Sequence, residues 1–424
     1  MFKNFIQKRL EKLAKKYLKK HQPTLVVVTG SVGKTSTKIA IATVLSGQYR
    51  VRVHKGNHNT HMSVPLGILG IDYPDNIRSL TEWHRVYKAA KLRIKQPKDT
   101  DVIVQELGTD TPGDIPHFGA YLNPDVAVVT AVSPEHMEFF KTIDAVAKEE
   151  LSVASFSKLT VINRDDIASE FAQYAETTNI DTYGTSAAAE YKFEIIDYSK
   201  EGYSGTFISP EFGETPVDLK LASEHSVKAA VAAGLVATKL GMSSEQIKEG
   251  MKKIRPVAGR MNLLRGVEGA TLIDDTYNSS PLAVEAALRT LYQMQAPQKI
   301  AILGSMNELG ATSPQAHEQV GKMCSGAELA WVVTIGDEAE KYLAPAAKSQ
   351  GCQVKSFKSP IDAGSFAHKV LEKNAIVLAK GSQNGVFAEE ALKILLHSTE
   401  EEKELVRQEP HWLKIKQEQF AKIK

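Results

Sequence analysis

Apolar positions follow two rhythms along this chain. Compact aliphatic runs at Leu25–Val28, Asp101–Leu107, Val126–Val132 and Leu159–Asn163 predict buried strands. Elsewhere apolar residues return every third or fourth position and predict helices. Ile39, Ala40, Thr43 and Val44 follow the first strand; Ile143, Val146, Ala147, Leu151 and Ala154 mark a later helix; Glu224–Leu240 is an Ala-rich one. Residues 183–221 alternate polar and apolar with many glycines (KFEIIDY, YSGTFIS) and predict antiparallel hairpins. Lys253–Gly259 reads as a domain boundary. Beyond it strands alternate with helices again, at Ala270–Asp274, Lys299–Leu303, Leu329–Ile335, Val354–Phe357 and Ala375–Ala379. Such alternation implies parallel sheets covered by helices, so the fold class is α/β in both halves. The expected domains are 22–255 and 256–397, preceded by a basic helix over 1–21 and followed by a charged, helical tail over 398–424 with Trp412 as an anchor.

Segment 1–21 carries eight Lys or Arg and a single acid, Glu11, while Phe2, Phe5, Ile6, Leu10, Leu13, Tyr17 and Leu18 recur at helical spacing. Two uses fit a basic amphipathic helix: peripheral contact with a membrane surface or partner, or packing on its own domain with a solvated basic face. The packed arrangement is the expectation. Residues 71–100 hold Tyr73, Trp83, Tyr87 and the basic run Lys88, Lys91, Arg93, Lys95, and predict a further surface helix.

Composition narrows the class. A chain of 424 residues is too long for one core. Its 42% apolar and 24% charged content is that of a soluble globular protein. A net charge of +2 gives no electrostatic case for nucleic acid as the main partner. Cys324 and Cys352, the only cysteines, exclude a disulfide framework or a metal knuckle. With no membrane-spanning run and no secretory signal, the expectation is a cytoplasmic monomer.

The chemistry starts at the first strand, which runs into Gly30-Ser31-Val32-Gly33-Lys34-Thr35-Ser36 and a helix. Gly30 and Gly33 let backbone N–H groups converge on phosphate oxygens, and the helix N-terminus adds positive dipole. Lys34 would reach the outer phosphates and the Thr35 hydroxyl would ligate Mg²⁺, so Gly30, Ser31, Gly33, Lys34, Thr35 and Ser36 are the expected nucleotide contacts. Val28 stands where the first glycine of GxxxxGK[ST] belongs. Glu106 lies near the end of the second strand and His136 just beyond the third. That edge of a parallel sheet gathers catalytic groups, which suggests metal and phosphate chemistry. His54, His58 and His61 read as hydrogen-bonding loop residues rather than metal ligands.

In order, TGSVGKTST, GNHNTHMSVPLGIL, QELGTDTPGDI, the His136 segment, VINRDD, GRMN, DDTYNSSP, GSMNELG and AKGSQ resemble the Mur ligases, over about residues 24–395. These are ATP-dependent enzymes that join an amino acid or peptide to a carboxylate. DDTYNSSP and NELG look most like the branch that adds D-alanyl-D-alanine to a muramoyl-tripeptide in peptidoglycan biosynthesis. The resemblance implies a P-loop Mur-ligase central domain plus a Rossmann-like C-terminal domain, with ATP and Mg²⁺ as cofactors. It also implies an acyl phosphate formed on the acid substrate and attacked by the amine of an amino acid or dipeptide. Lys34 would hold the terminal phosphates, Thr35 and Glu106 one Mg²⁺, and His136 a second. Arg260 and Asn278 would contact ATP. Asp274 and Asp275 would orient that loop or cap it, and Lys380 would face ATP or the acyl phosphate.

Three features depart from the family pattern. Only the basic helix precedes the P-loop, where relatives carry a domain for the UDP-sugar, so recognition of UDP is left open. The family's G-x-H-N-x-x-N helix has Ser226 and Ala229 at its asparagine positions. The family's carbamylated lysine aligns with Glu150, seven positions from Ile143 and so on the inward face of its helix, with Lys148 and Glu149 expected to point away. Glu150 is accordingly expected to be catalytic and to ligate metal. Two rival readings are another amide ligase of this fold, such as a folylpolyglutamate synthase, and a non-catalytic nucleotide-binding partner. Lys34, Thr35, Glu106 and His136 argue against the second.

Overall fold

The structure, a computed structural model, describes residues 2–54, 56, 58–74, 76–186, 188–199 and 202–422; the Phe2 side chain, placed above on the apolar face of the first helix, lies outside the described residues. The chain divides into two compact units, Met1–Pro134 with Phe139–Leu221 and His225–Arg255, and Pro256–Lys424 with Glu135–Glu138 and Ala222–Glu224.

The first unit is built on a nine-stranded sheet. Its strands are β1 (Thr24–Thr29), β2 (Val51–Val53), β3 (Val102–Glu106), β4 (Val126–Val129), β5 (Leu159–Asn163), β6 (Ile180–Gly184), β7 (Tyr191–Ser199), β8 (Gly202–Ser209) and β9 (Gly213–Leu219). Their order is β2-β3-β1-β4-β5-β6-β7-β8-β9. Pairing is parallel from β2 to β7 and antiparallel across β7, β8 and β9. β1 and β3 are buried on both faces, as a central parallel strand requires. The helices Lys34–Leu45 and Glu224–Lys239 pack with Tyr191, Phe193, Phe207 and Val217 of the hairpins into one core. A small-residue face lets the second of these helices lie close: a Cβ on Gly234 would come within 2.8 Å of the Phe207 ring.

The helix Phe2–His21 lies against the helices Ser63–Leu69 and Leu80–Lys95. Ile6, Leu10, Leu13, Ala14 and Tyr17 are buried there, so most of its apolar stripe is consumed by packing, while Phe5 stays exposed. Trp83 and Tyr87 are buried too, which makes helix 80–95 part of the packed body rather than a purely superficial insertion. Asn163–Asp166 do not cap an α-helix: Asp165 instead accepts the Thr185 N–H and hydroxyl, and Asp166 pairs with Lys228 at 2.9 Å. A short 3₁₀ segment, Ser169–Tyr174, follows.

The second unit has a six-stranded sheet. Its strands are β10 (Asn262–Arg265), β11 (Thr271–Asp275), β12 (Lys299–Gly304), β13 (Trp331–Ile335), β14 (Val354–Phe357) and β15 (Ile376–Lys380), in the order β10-β11-β15-β12-β13-β14. Only β10 runs antiparallel. Residues 398–422 are built into this unit by buried charge more than by Trp412. Arg407 pairs with Glu389 at 2.6 Å, and Lys416 with Glu389 at 2.8 Å and Glu390 at 2.6 Å.

Candidate active site

β1 ends at Thr29 and the chain turns through Gly30 (φ 121°) and Gly33 (φ 89°) into the helix Lys34–Leu45. Both φ values lie where side chains are strained, and a Cβ on Gly30 would sit 2.8 Å from the Ala131 N. The turn is fastened from the neighbouring strand end. Ser31 N–H donates to Ala131 O at 2.9 Å, and the Ser31 hydroxyl bridges Ser133 O and N–H. Lys34 Nζ lies over the turn, donating to Gly30 O and Ser31 O. Ser36 is half-buried in the first helical turn.

Glu106, at the end of β3, is 2% exposed. The Thr35 hydroxyl donates to its Oε2 at 3.0 Å, Lys38 Nζ stands 3.1 Å from the same oxygen, and Asn59 Nδ2 donates to Oε1 at 3.2 Å. The Thr35 hydroxyl and Glu106 therefore converge beside the phosphate turn. Lys38 and Asn59 were not foreseen. Lys38 sits one helical turn past Lys34, and a lysine inside an apolar helix face was the available signal. A carboxylate this deep needs opposite charge, and Lys38 provides it. Lys38 also donates to Gly56 O, tying the helix to the loop of His54, His58 and His61. There the His54 and His58 rings meet tilted by 41°, with centroids 3.3 Å apart, and His61 pairs with Asp114 at 2.8 Å. Burial pushes His58 down to about 4.

Glu150 projects from the helix Ile143–Leu151 and is buried. Its Oε2 accepts the Gly30 N–H at 2.8 Å and the Thr29 hydroxyl. The acid aligned with a metal ligand thus has a backbone amide and a hydroxyl as partners, inside the phosphate turn. Glu149 corrects the helical-face argument: it does not point away but is buried. It accepts Ile115 N–H at 2.7 Å and Gly113 N–H at 2.8 Å, capping the short helix Asp114–Phe118. The helix 143–151 is covered on two sides, so its inward arc is wider than its apolar stripe.

The second unit gathers the remaining residues. Asp274 accepts Gly259 N–H at 2.8 Å and the Thr276 hydroxyl at 2.6 Å, and Asp275 accepts Met261 N–H at 3.2 Å. The paired acids at the end of β11 therefore staple the loop that carries Arg260. The Arg260 guanidinium lies 4.3 Å over the Tyr277 ring. Lys380 Nζ pairs with Asp275 at 2.6 Å and donates to Asn278 O at 3.0 Å. Complete burial raises the Asp274 carboxyl to about 6. His136 (φ 49°) belongs to the segment Glu135–Glu138 that clusters with this unit. Its Nδ1 lies 3.2 Å from Glu308, which holds that carboxyl below its ordinary range.

The sequence profile of the Mur ligase middle domain matches residues 28–237, and that of the Mur ligase glutamate ligase domain matches residues 259–383. The chain belongs to the Mur ligase family. The UDP-N-acetylmuramoyl-tripeptide–D-alanyl-D-alanine ligase of Bacillus subtilis is 27% identical over 395 residues, 92% of this chain and 79% of the relative. Among solved structures, the MurF ligase of Thermotoga maritima in complex with ADP superimposes with a TM-score of 0.76 at 25% identity, covering 92% of this chain and 83% of that one. The folylpolyglutamate synthase of Mycobacterium tuberculosis shares the fold, with a TM-score of 0.65 at 16% identity over 90% of this chain and 94% of that one.

Within this Mur ligase, the two departures on the helix Glu224–Lys239 are local. His225 lies against the phosphate turn: a Cβ on Gly33 would sit 3.1 Å from its Nε2. Three residues on, Lys228 reaches Asp166 of the VINRDD stretch. Ala229 is buried and Ser226 half-buried on the same helix.

Proposed function

We propose that this chain is an ATP- and Mg²⁺-dependent ligase that adds D-alanyl-D-alanine to the free carboxylate of a muramoyl-peptide precursor, acting as a cytoplasmic monomer. The observation that carries the reading is the convergence of Lys34, the Thr35 hydroxyl and Glu106 at one glycine turn. A hydroxyl and a carboxylate oxygen beside a phosphate-binding turn suit a hard cation that completes its shell with phosphate and water. Mg²⁺, when bound, supplies charge neutralisation for the phosphoryl group.

The chain's own residues do the rest by positioning, which is most of what phosphoryl transfer requires. The Gly30 and Ser31 N–H groups are given to Glu150 and Ala131 O, so the backbone N–H groups of Val32 and Gly33 are the ones that hold phosphate oxygens, and Lys34 swings from the turn carbonyls to the outer phosphates. Lys38 keeps Glu106 in place, and Glu150 keeps Gly30 in place. Glu150 also brings a negative charge to the position that aligns with the family's carbamylated lysine, and His136 serves the acyl-phosphate end. Arg260 and Asn278, set by Asp274 and Asp275, contact ATP. The carboxylate takes the terminal phosphoryl group, the incoming amine attacks the acyl carbon, and phosphate departs.

A folylpolyglutamate-synthase-like ligase is the second reading, favoured by the shared fold. Phosphate release measured with a panel of amines (D-Ala-D-Ala, D-Ala, L-Glu) on a muramoyl-tripeptide acceptor separates the two. Turnover with D-Ala-D-Ala alone is expected. Turnover with L-Glu alone would replace the proposal by the second reading.

A further inference from the structure

The helices Phe2–His21 and Leu80–Lys95 run side by side in the same direction. The Arg9 guanidinium lies 4.5 Å over the Tyr87 ring, and at its C-terminal end the first helix gives Lys20 Nζ to Ile94 O at 2.7 Å. Their apolar stripes face the protein, and what remains outside is basic. Residues 1–21 and 80–98 hold 14 of the chain's 52 Lys and Arg and 2 of its 50 acids, so these forty residues carry +12 and the other 384 carry −10. The two acids do not neutralise the face: Glu11 is turned to His117 at 2.8 Å, and Glu82 accepts the Asn76 N–H at the helix start. Lys8, Lys12, Lys16 and Lys19 follow one exposed stripe of the first helix, and Arg85, Lys88, Lys91 and Lys95 are exposed on the second.

Large apolar side chains stand among these charges. Phe5 is 61% exposed, Leu80 70% and Leu92 52%. Exposed lysines with interspersed Phe and Leu suit the headgroup region of a bilayer. Nucleic acid is served worse, because Trp83 and Tyr87 are buried and Phe5 is the one exposed Phe, Tyr or Trp ring among the described residues of the two helices, where single strands stack successive bases on several rings. We propose that this two-helix face docks the protein on an anionic lipid surface. The attachment is peripheral and electrostatic, with Phe5, Leu80 and Leu92 entering the headgroup layer. The buried part of the first helix's apolar stripe, Ile6, Leu10, Leu13 and Tyr17, takes no part, because it is already packed. Docking leaves the phosphate turn untouched, so it places the enzyme without altering its chemistry.

The test is co-sedimentation of the full chain with vesicles of equal parts phosphatidylglycerol and phosphatidylcholine, and with phosphatidylcholine alone. Binding is expected only to the anionic vesicles, and it should weaken about tenfold or more as salt rises from roughly 0.05 to 0.5 M. The variant Lys12→Glu/Lys16→Glu/Lys88→Glu/Lys91→Glu should lose about tenfold or more in vesicle affinity, with unchanged melting temperature and unchanged phosphate release in solution. Phe5→Ser/Leu80→Ser should weaken binding while keeping its salt dependence. Equal binding to both vesicle types, or full binding by the charge-reversed variant at an unchanged melting temperature, would overturn the proposal. Displacement from vesicles by a single-stranded oligonucleotide at equal phosphate concentration would overturn it in favour of nucleic acid.

Discussion

Glu150 Oε2 accepts the Gly30 backbone N–H at 2.8 Å, so a carboxylate from the helix Ile143–Leu151 holds the first residue of the phosphate turn. Both groups are buried, and the Thr29 hydroxyl shares the same oxygen. A glutamine at 150 can still present one carbonyl oxygen to Gly30 but carries no charge. Glu150→Gln is therefore expected to retain the fold and lose about tenfold or more in turnover, because electrostatic contacts act on charge that shifts in the transition state. Glu150→Ala should lose the turn's anchor as well and unfold at a lower temperature. Melting curves and phosphate release on the same samples separate the two effects, and normal turnover by Glu150→Gln would make the residue a turn anchor alone.

Lys34 donates to backbone carbonyls of the turn and fills no apolar core. Lys34→Ala should leave the melting temperature within a few degrees of wild type and reduce turnover by about 100-fold or more. A folded Lys34→Ala protein that turns over normally would remove the glycine turn from the reaction.

The first helix contributes to stability through Leu10, which is fully buried. Leu10→Ala should lower the unfolding free energy by about 2–5 kcal/mol, as large-to-small core changes do. Chemical denaturation gives the number. A loss under roughly 0.5 kcal/mol, the size of a surface substitution, would mean that the helix is not part of the packed body.

Asp274 gives a pH signature. Its folded value, about 6, lies above the ordinary 3.8, because burial penalises the charged form. Proton binding therefore favours the folded state. The stabilisation is complete below about pH 4 and is lost as pH rises through 6, a change of roughly 3 kcal/mol from a two-unit shift. Against Asp274→Asn, which cannot titrate, the wild type should lose stability between pH 4 and 6.5 and run parallel above that. A constant difference across this range would contradict the burial argument.

The central strands were legible because a strand buried on both faces is a continuous aliphatic run, and nothing else of that length between turn residues reads the same way. The glycine turn was legible despite Val28, because positive φ at Gly30 and Gly33 leaves few other residues acceptable. Lys38, Asn59 and Glu149 were not. Each owes its place to a partner on another element: Lys38 and Asn59 to Glu106, and Glu149 to the N–H groups of Gly113 and Ile115. Helical spacing placed Glu150 inward but said nothing of the second helix that also buries Glu149. The hairpins and the Rossmann-like half were visible as rhythm. The anchoring of residues 398–422 by Arg407 and Lys416 was hidden in a stretch whose charge reads as solvated.

The central claim is that a carboxylate oxygen of the acid substrate passes to phosphate. Isotope transfer tests it directly. With a muramoyl-tripeptide acceptor labelled with ¹⁸O in its reacting carboxylate, plus ATP, Mg²⁺ and D-Ala-D-Ala, each phosphate released should carry one ¹⁸O, and release should require both acid and amine. Unlabelled phosphate, or phosphate released at the same rate without the amine, would contradict the ligase reading.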